Sequence, residues 1–184
     1  MARARRRFSW RRELLILFVF LAAALVMKYV RKPSEPVEFA GHFRAVDGDT
    51  LTIDRARLRI RGIDAPERAQ QCGTAGRLWS CGDAATRALR ARLPGLTCKA
   101  HSHDKYRRLL VRCRTATGDL GAELVSAGAA VGYGSEYRAE EDAARKARLG
   151  VWSGPFERPE LWRRNHRPQA DIGNLSDFFG RLFQ

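Results

Sequence analysis

In Arg57-Leu58-Arg59-Ile60-Arg61-Gly62-Ile63-Asp64-Ala65-Pro66-Glu67, apolar and basic side chains alternate and then give way to glycine, proline and two carboxylates. Successive strand residues point to opposite faces, so the alternation predicts a strand with Leu58 and Ile60 turned inward and Arg57, Arg59 and Arg61 turned outward. One face is core and the other is cationic. Working outward, this strand runs over Ala56–Ile63. Phe39–Val46 and Leu51–Ile53 carry strand signals before it, with Asp54-Arg55 as a turn, and Leu96–His101 and Leu109–Arg114 carry two more behind it.

Helical spacing accounts for much of the rest. Asp83 is placed to cap a segment that turns Ala85, Leu89 and Leu93 inward and ends before Pro94-Gly95. Asp119 is placed to cap a second, carrying Leu120, Leu124 and Val125 and stopping at Gly128. Ser135 is placed to cap a third, which ends at Gly150 and sets Glu141 one turn before Arg145. The chain has 184 residues, enough for one domain with appendages. Five short strands and three helices predict an α+β fold over residues 38–157, a five-stranded OB-fold-like barrel decorated by helices.

The first 32 residues differ in character. Six arginines precede the uninterrupted apolar run Leu14 to Met27, and Lys28, Arg31 and Lys32 follow it. This is an export signal or a membrane anchor. As a helix the run rises roughly 21 Å, or about 26 Å if continued to Val30, short against a hydrocarbon core of roughly 30 Å. Ala22-Ala23-Ala24 offers a small-residue cleavage pattern, so a secreted product is the rival to a retained anchor over residues 14–30. The reading favoured is the anchor. The heavier basic load before the run keeps the N-terminus cytoplasmic and the domain outside the cytoplasm, periplasmic or extracellular. Residues 33–37, with Pro33 and Pro36, read as a linker. Of the formal net charge of +14, these first residues hold +8, nine basic side chains against Glu13. The remaining +6 suits a polyanionic partner and equally suits a solvated surface.

Cys72, Cys81, Cys98 and Cys113 are even in number, and outside the cytoplasm disulfides persist. Four cysteines allow three pairings. Cys98 and Cys113 lie equally far from the centre of the candidate turn Asp104-Lys105-Tyr106-Arg107, which would set them opposite each other and leave Cys72 for Cys81. A zinc site using His101 and His103 is the alternative, but no C-x-x-C knuckle is present. In the C-terminal extension, residues 158–184, Ile172, Leu175, Phe178, Phe179, Leu182 and Phe183 recur at helical spacing. That spacing suits an amphipathic helix docking on a membrane or partner; the reading favoured is simple packing against the barrel or a frayed end.

Carboxylates are scarcer than basic groups, so their placement is informative. Asp47-Gly48-Asp49-Thr50 and Asp64-Ala65-Pro66-Glu67 both sit at strand ends in turn-forming sequence. Brought together, Asp49 and Asp64 would offer hard oxygen ligands to Ca2+ or Mg2+. An EF-hand is excluded, because counting from Asp47 puts Thr52 where that loop needs glycine and Leu58 where it needs glutamate.

Four stretches in order, Val46-Asp47-Gly48-Asp49-Thr50, Leu58 through Glu67, Asp104-Lys105-Tyr106-Arg107-Arg108-Leu109 and Gly150-Val151-Trp152-Ser153, make the chain resemble the staphylococcal (micrococcal) thermonuclease family from about Phe39 to Trp152. That resemblance implies a Ca2+-dependent phosphodiesterase, an endonuclease acting on DNA, RNA or both and leaving 3′-phosphate ends. It implies calcium ligands at Asp49, Asp64 and the main-chain carbonyl of Ala65, where the family often has threonine. Glu67 matches the general base, and Arg59 and Arg108 match the arginines that grip the scissile phosphate. Lys105 and Tyr106 match contacts to a terminal phosphate, and Tyr133 matches a tyrosine of the base pocket. Arg107 departs from the pattern, since the family usually has glycine there, and a left-handed backbone would strain an arginine. Two other classes compete: a non-catalytic nucleic-acid-binding OB-type module, and a membrane-anchored envelope protein that organises partners. The chain is taken as a monomer.

Overall fold

The structure, a computed structural model, describes residues 10–30 and 36–166 and divides into two units, residues 1–35 and 36–184. In the first unit α1 spans Trp10–Val30. Leu14 through Leu21 are exposed one after another, so apolar surface runs around the whole helix rather than along one stripe. Among the described residues no helix is long and apolar enough to cross a membrane.

The second unit holds β1 (Val37–Ala40), β2 (Arg44–Ala45), β3 (Thr50–Ile53), β4 (Ala56–Ile60), β5 (Ile63–Asp64), β6 (Thr97–His103), β7 (Leu109–Arg114) and β8 (Val131–Gly132). Its helices are α2 (Cys81–Arg90), α3 (Leu120–Ser126), α4 (Arg138–Lys146) and α5 (Pro159–Asn165), with a 3-10 turn at Gly150–Ser153. Six strands form one curled, half-barrel sheet in the order β1-β6-β7-β4-β3-β2, and β5 pairs with β8 in a separate ribbon.

The α+β class holds, while the expected count of five strands and three helices is corrected. The strand expected over Phe39–Val46 breaks after Ala40 into β1 and β2. The one expected over Ala56–Ile63 is interrupted at Arg61-Gly62, where Gly62 takes φ 81, a conformation that suits only glycine readily. Past that kink Ile63 and Asp64 leave β4 and pair with Gly132 and Val131. A fourth helix in this unit, α5, lies in what reads from the sequence as the C-terminal extension. The apolar positions from Ile172 to Phe183 fall outside the described residues, as does most of the 33–37 linker.

The alternation in β4 does what its pattern predicts. Leu58 and Ile60 are buried with Leu51, Val111, Leu89, Leu120 and Leu124 in one core, each such side chain contributing about 1.5–3 kcal/mol of burial. β4 pairs antiparallel with β3, Thr50 opposite Arg59, and parallel with β7, Arg59 opposite Leu110. That parallel pairing brings the β6–β7 turn beside the strand that carries Arg59. Cys98 faces Cys113 in the β6–β7 register, and the two are joined, Cα atoms 4.0 Å apart. Cys72 is joined to Cys81, Cα atoms 5.7 Å apart.

Asp119 caps α3, its side chain accepting a hydrogen bond from the backbone N–H of Ala122 at 3.0 Å. The other two expected caps are displaced. α2 begins at Cys81 behind Ser80, so Asp83 lies inside its first turn, where a carboxylate still favours the helix dipole. α4 begins behind Tyr137, which takes φ 58, rather than behind Ser135. The Glu141–Arg145 pair forms at 2.9 Å.

A candidate acid and arginine centre

Three segments meet at the end of β4. The loop before β3 carries Asp49, β4 carries Arg59, and β5 carries Asp64. Their convergence needs a very close approach at Gly48, where a Cβ would lie 2.6 Å from Cβ of Ala65 and 2.7 Å from Cβ of Ala85. The Asp47-Gly48-Asp49 turn therefore lies against Ala65 and α2. Asp49 Oδ2 accepts a hydrogen bond from the backbone N–H of Ala65 at 3.0 Å, and its Oδ1 accepts one from the Thr50 hydroxyl at 3.0 Å.

Arg59 bridges the two aspartates. Its Nη1 pairs with Asp49 Oδ1, and its Nη2 donates to Asp64 Oδ1 at 3.0 Å and to the carbonyl of Ile63 at 3.3 Å. Both aspartates are only 3 % exposed. Burial pushes the Arg59 pKa down, the charge and hydrogen bond of Asp64 oppose that, and the charge of Arg108 adds to it. Buried charges persist only when paired and hydrogen-bonded, as these are.

Glu67 follows two residues beyond Ala65 and is held by Gln70, a fully buried side chain. The Gln70 amide oxygen accepts from the Glu67 backbone N–H at 3.2 Å, and its Nε2 donates to the carbonyl of Glu157 at 2.6 Å. Arg163 on α5 completes the centre. It donates from Nη1 to Asp64 Oδ1 at 3.0 Å and to Glu67 Oε1 at 2.8 Å, and from Nη2 to Asp64 Oδ2 at 2.9 Å. Burial works against its cationic form, but the hydrogen bonds to Asp64 and Glu67 prevail and raise its pKa.

Arg108 lies beside this centre without bonding to it. Its Nε donates to Asp104 Oδ2 at 2.7 Å, and its guanidinium sits 5.5 Å from the Tyr106 ring centre. Arg107, before it, takes φ 63, the left-handed conformation for which glycine is the easy residue. Lys105 Nζ lies 5.1 Å from the Tyr106 ring centre, and Tyr106 is exposed. Tyr133 is also exposed, its backbone N–H donating to the carbonyl of Gly62 at 2.8 Å.

The sequence-expected residues thus divide. Asp49, Arg59, Asp64 and Ala65 are in direct mutual contact, Glu67 joins them through Arg163, and Arg108, Lys105, Tyr106 and Tyr133 stand on neighbouring turns. Arg163 and Gln70 were missed by the sequence reading. The only signal for Arg163 was the Pro-, Arg- and Trp-rich composition after Trp152; nothing local marks an arginine 99 residues from its partner.

Among the described residues no group of three or more His, Cys, Asp or Glu side chains is arranged to hold a metal ion. The donor chemistry nevertheless fits a hard cation, with two buried carboxylates converging on one guanidinium and a third carboxylate nearby. It does not fit zinc through thiolates, since all four cysteines are in disulfides. A cationic strand face with buried acids at its end, mounted on a curled sheet, defines a small α+β domain suited to engaging a phosphate. The chain belongs to the staphylococcal nuclease homologue family, whose sequence model matches residues 57–154. Asp49 lies just ahead of that match.

Three relatives give the breadth of the likeness. The "Succinoglycan biosynthesis protein ExoI" of Rhizobium meliloti (strain 1021) is 30% identical over 160 residues, 80% of this chain and 83% of that protein. An "Uncharacterized endonuclease" of Escherichia coli O157:H7 is 29% identical over 134 residues, 65% of this chain and 81% of that protein. The "Probable endonuclease lcl3" of Botryotinia fuckeliana (strain B05.10) is 30% identical over 135 residues, 62% of this chain and 49% of that protein. Family membership and these endonuclease relatives support nuclease activity at the level of the family.

Proposed function

We propose that this chain is a Ca2+-dependent endonuclease that hydrolyses phosphodiester bonds of DNA, RNA or both. The observation that carries the reading is the buried Asp49–Arg59–Asp64 triad beside Glu67. Asp49, Asp64 and the carbonyl of Ala65 would hold the ion, which when bound polarises the phosphodiester and offsets its charge. Arg59 grips a non-bridging phosphate oxygen, and Arg108 adds a second grip once it leaves Asp104, so that both guanidinium groups stabilise charge as it accumulates at phosphorus. Glu67 takes the proton of the attacking water, the bond to the 5′-oxygen breaks, that oxygen takes a proton from solvent and leaves as a 5′-hydroxyl, and a 3′-phosphate end remains. Recognition through the backbone is tolerant of base sequence.

The site also supports a second reading. Arg59 and Arg163 already occupy the Asp64 oxygens, an arrangement suited to a module that binds nucleic acid without cutting it. Cleavage assays on single-stranded DNA and RNA with the purified chain, in Ca2+ and in chelator, separate the two. Activity that needs Ca2+ and falls in Glu67→Gln supports the nuclease; salt-sensitive binding without cleavage supports the module. The paired cysteines and the apolar run Leu14 to Met27 between basic flanks support a domain working outside the cytoplasm, tethered by residues 14–30. Fractionation of cells expressing the full chain tests that location.

A further inference from the structure

We propose that Arg163 is a built-in competitor of the divalent cation, a guanidinium on α5 that closes the carboxylate site until the ion displaces it. The inference rests on the reading of the site as cation-dependent. Asp64 Oδ1 already accepts from Arg59 Nη2 and Arg163 Nη1, both at 3.0 Å, and Oδ2 accepts from Arg163 Nη2 at 2.9 Å. Arg163 also takes Glu67 Oε1 at 2.8 Å. One side chain thus covers both an expected ligand and the expected base. An ion coordinated by Asp64 would stand against two guanidinium groups on one buried carboxylate, and like charges at such range repel. Displacing Arg163 leaves Asp49 and Asp64 sharing Arg59 and strips Glu67 of its partner, a local net charge of minus two that favours a divalent ion.

The plug is built rather than incidental. Pro159, at the start of α5, is buried, and the segment leading into the helix is fixed where Gln70 Nε2 donates to the carbonyl of Glu157 at 2.6 Å. Gly73 ties the same segment through Pro155 at 2.9 Å. Gln70 also holds the Glu67 backbone, so the loop that carries the base and the segment that leads to the plug share one buried anchor. Arg164, the next residue, is exposed and points to no carboxylate of the centre among the described residues.

Calcium titration of the full chain by calorimetry, in detergent and without substrate, tests the proposal. A plug closed about nine-tenths of the time weakens apparent affinity about tenfold, so Arg163→Ala binds Ca2+ about tenfold more tightly than wild type. Arg164→Ala leaves affinity unchanged, and adding Asp64→Asn to Arg163→Ala abolishes the gain. Arg163→Gln, which keeps most of the stem, repeats the measurement if the alanine variant does not fold. In wild type, saturating Ca2+ speeds hydrogen exchange at the α5 amides of Trp162 and His166. Equal or weaker Ca2+ affinity in both Arg163 variants, or α5 exchange that ignores Ca2+, overturns the plug. Calcium-dependent cleavage with unchanged affinity sinks the plug alone, and absent cleavage with the affinity gain intact sinks the nuclease reading alone.

Discussion

Arg59 and Asp64 lie on either side of the kink at Gly62 and are joined by a hydrogen bond from Nη2 to Oδ1 at 3.0 Å. The same guanidinium reaches Asp49, so one side chain pairs with two buried acids. Arg59→Ala leaves both carboxylates without this partner and costs about 3–5 kcal/mol of stability, read by urea unfolding. Arg59→Lys costs less, because an ammonium keeps the charge but loses the fork that spans both acids. Wild-type stability in the alanine variant would remove the triad from the architecture.

Asp104 shapes the turn that carries Arg108. Burial alone would raise its pKa, but hydrogen bonds from the Arg108 backbone and side chain and the Tyr106 backbone outweigh that and hold it below the ordinary carboxylate range. A carboxyl whose folded pKa is depressed stabilises the fold above its unfolded value and loses that contribution as pH falls through the folded one. Asp104→Asn is therefore less stable than wild type at pH 7, and the gap closes below about pH 4. Melting temperatures across pH 2.5–7 check it; a constant gap would contradict the assignment.

Gly48 is set by contact. Gly48→Ala forces Cβ into Ala65 and Ala85 and costs about 1–3 kcal/mol as overpacking. Gly154→Ala, where a Cβ meets nothing within 4 Å, stays within about 0.5 kcal/mol of wild type. Chemical denaturation of the pair reads the difference.

Gln70 positions rather than reacts. Gln70→Ala strips partners from the Glu67 backbone N–H and the Glu157 carbonyl, costing about 1–3 kcal/mol for each group left unsatisfied. If Glu67 is the base, cleavage by Gln70→Ala falls mainly in kcat with KM little changed. A loss confined to KM would assign Gln70 to substrate binding instead.

Much of the fold is legible in short stretches. The alternation from Arg57 to Arg61 marks β4 and the face carrying Arg59, the spacing of Cys98 and Cys113 about a turn marks their pairing, and Asp119 announces α3. These are local facts, because backbone geometry fixes side-chain direction within a few residues. Strand ends were less legible, since the break after Ala40 and the kink at Gly62 are settled by which strands receive each side, β6 for β1, β3 for β2 and β8 for β5.

By itself the sequence determined the α+β class, the acid-bearing turns and the family to which the chain belongs. Tertiary structure alone decided that the sheet is a six-stranded half-barrel with a separate ribbon, that Gln70 anchors the Glu67 loop, and that Arg163 reaches Asp64 across 99 residues. Periodicity is written in neighbouring residues. A buried carboxylate instead takes whichever cation the packed chain delivers, and that choice is made only when distant segments close over the same core.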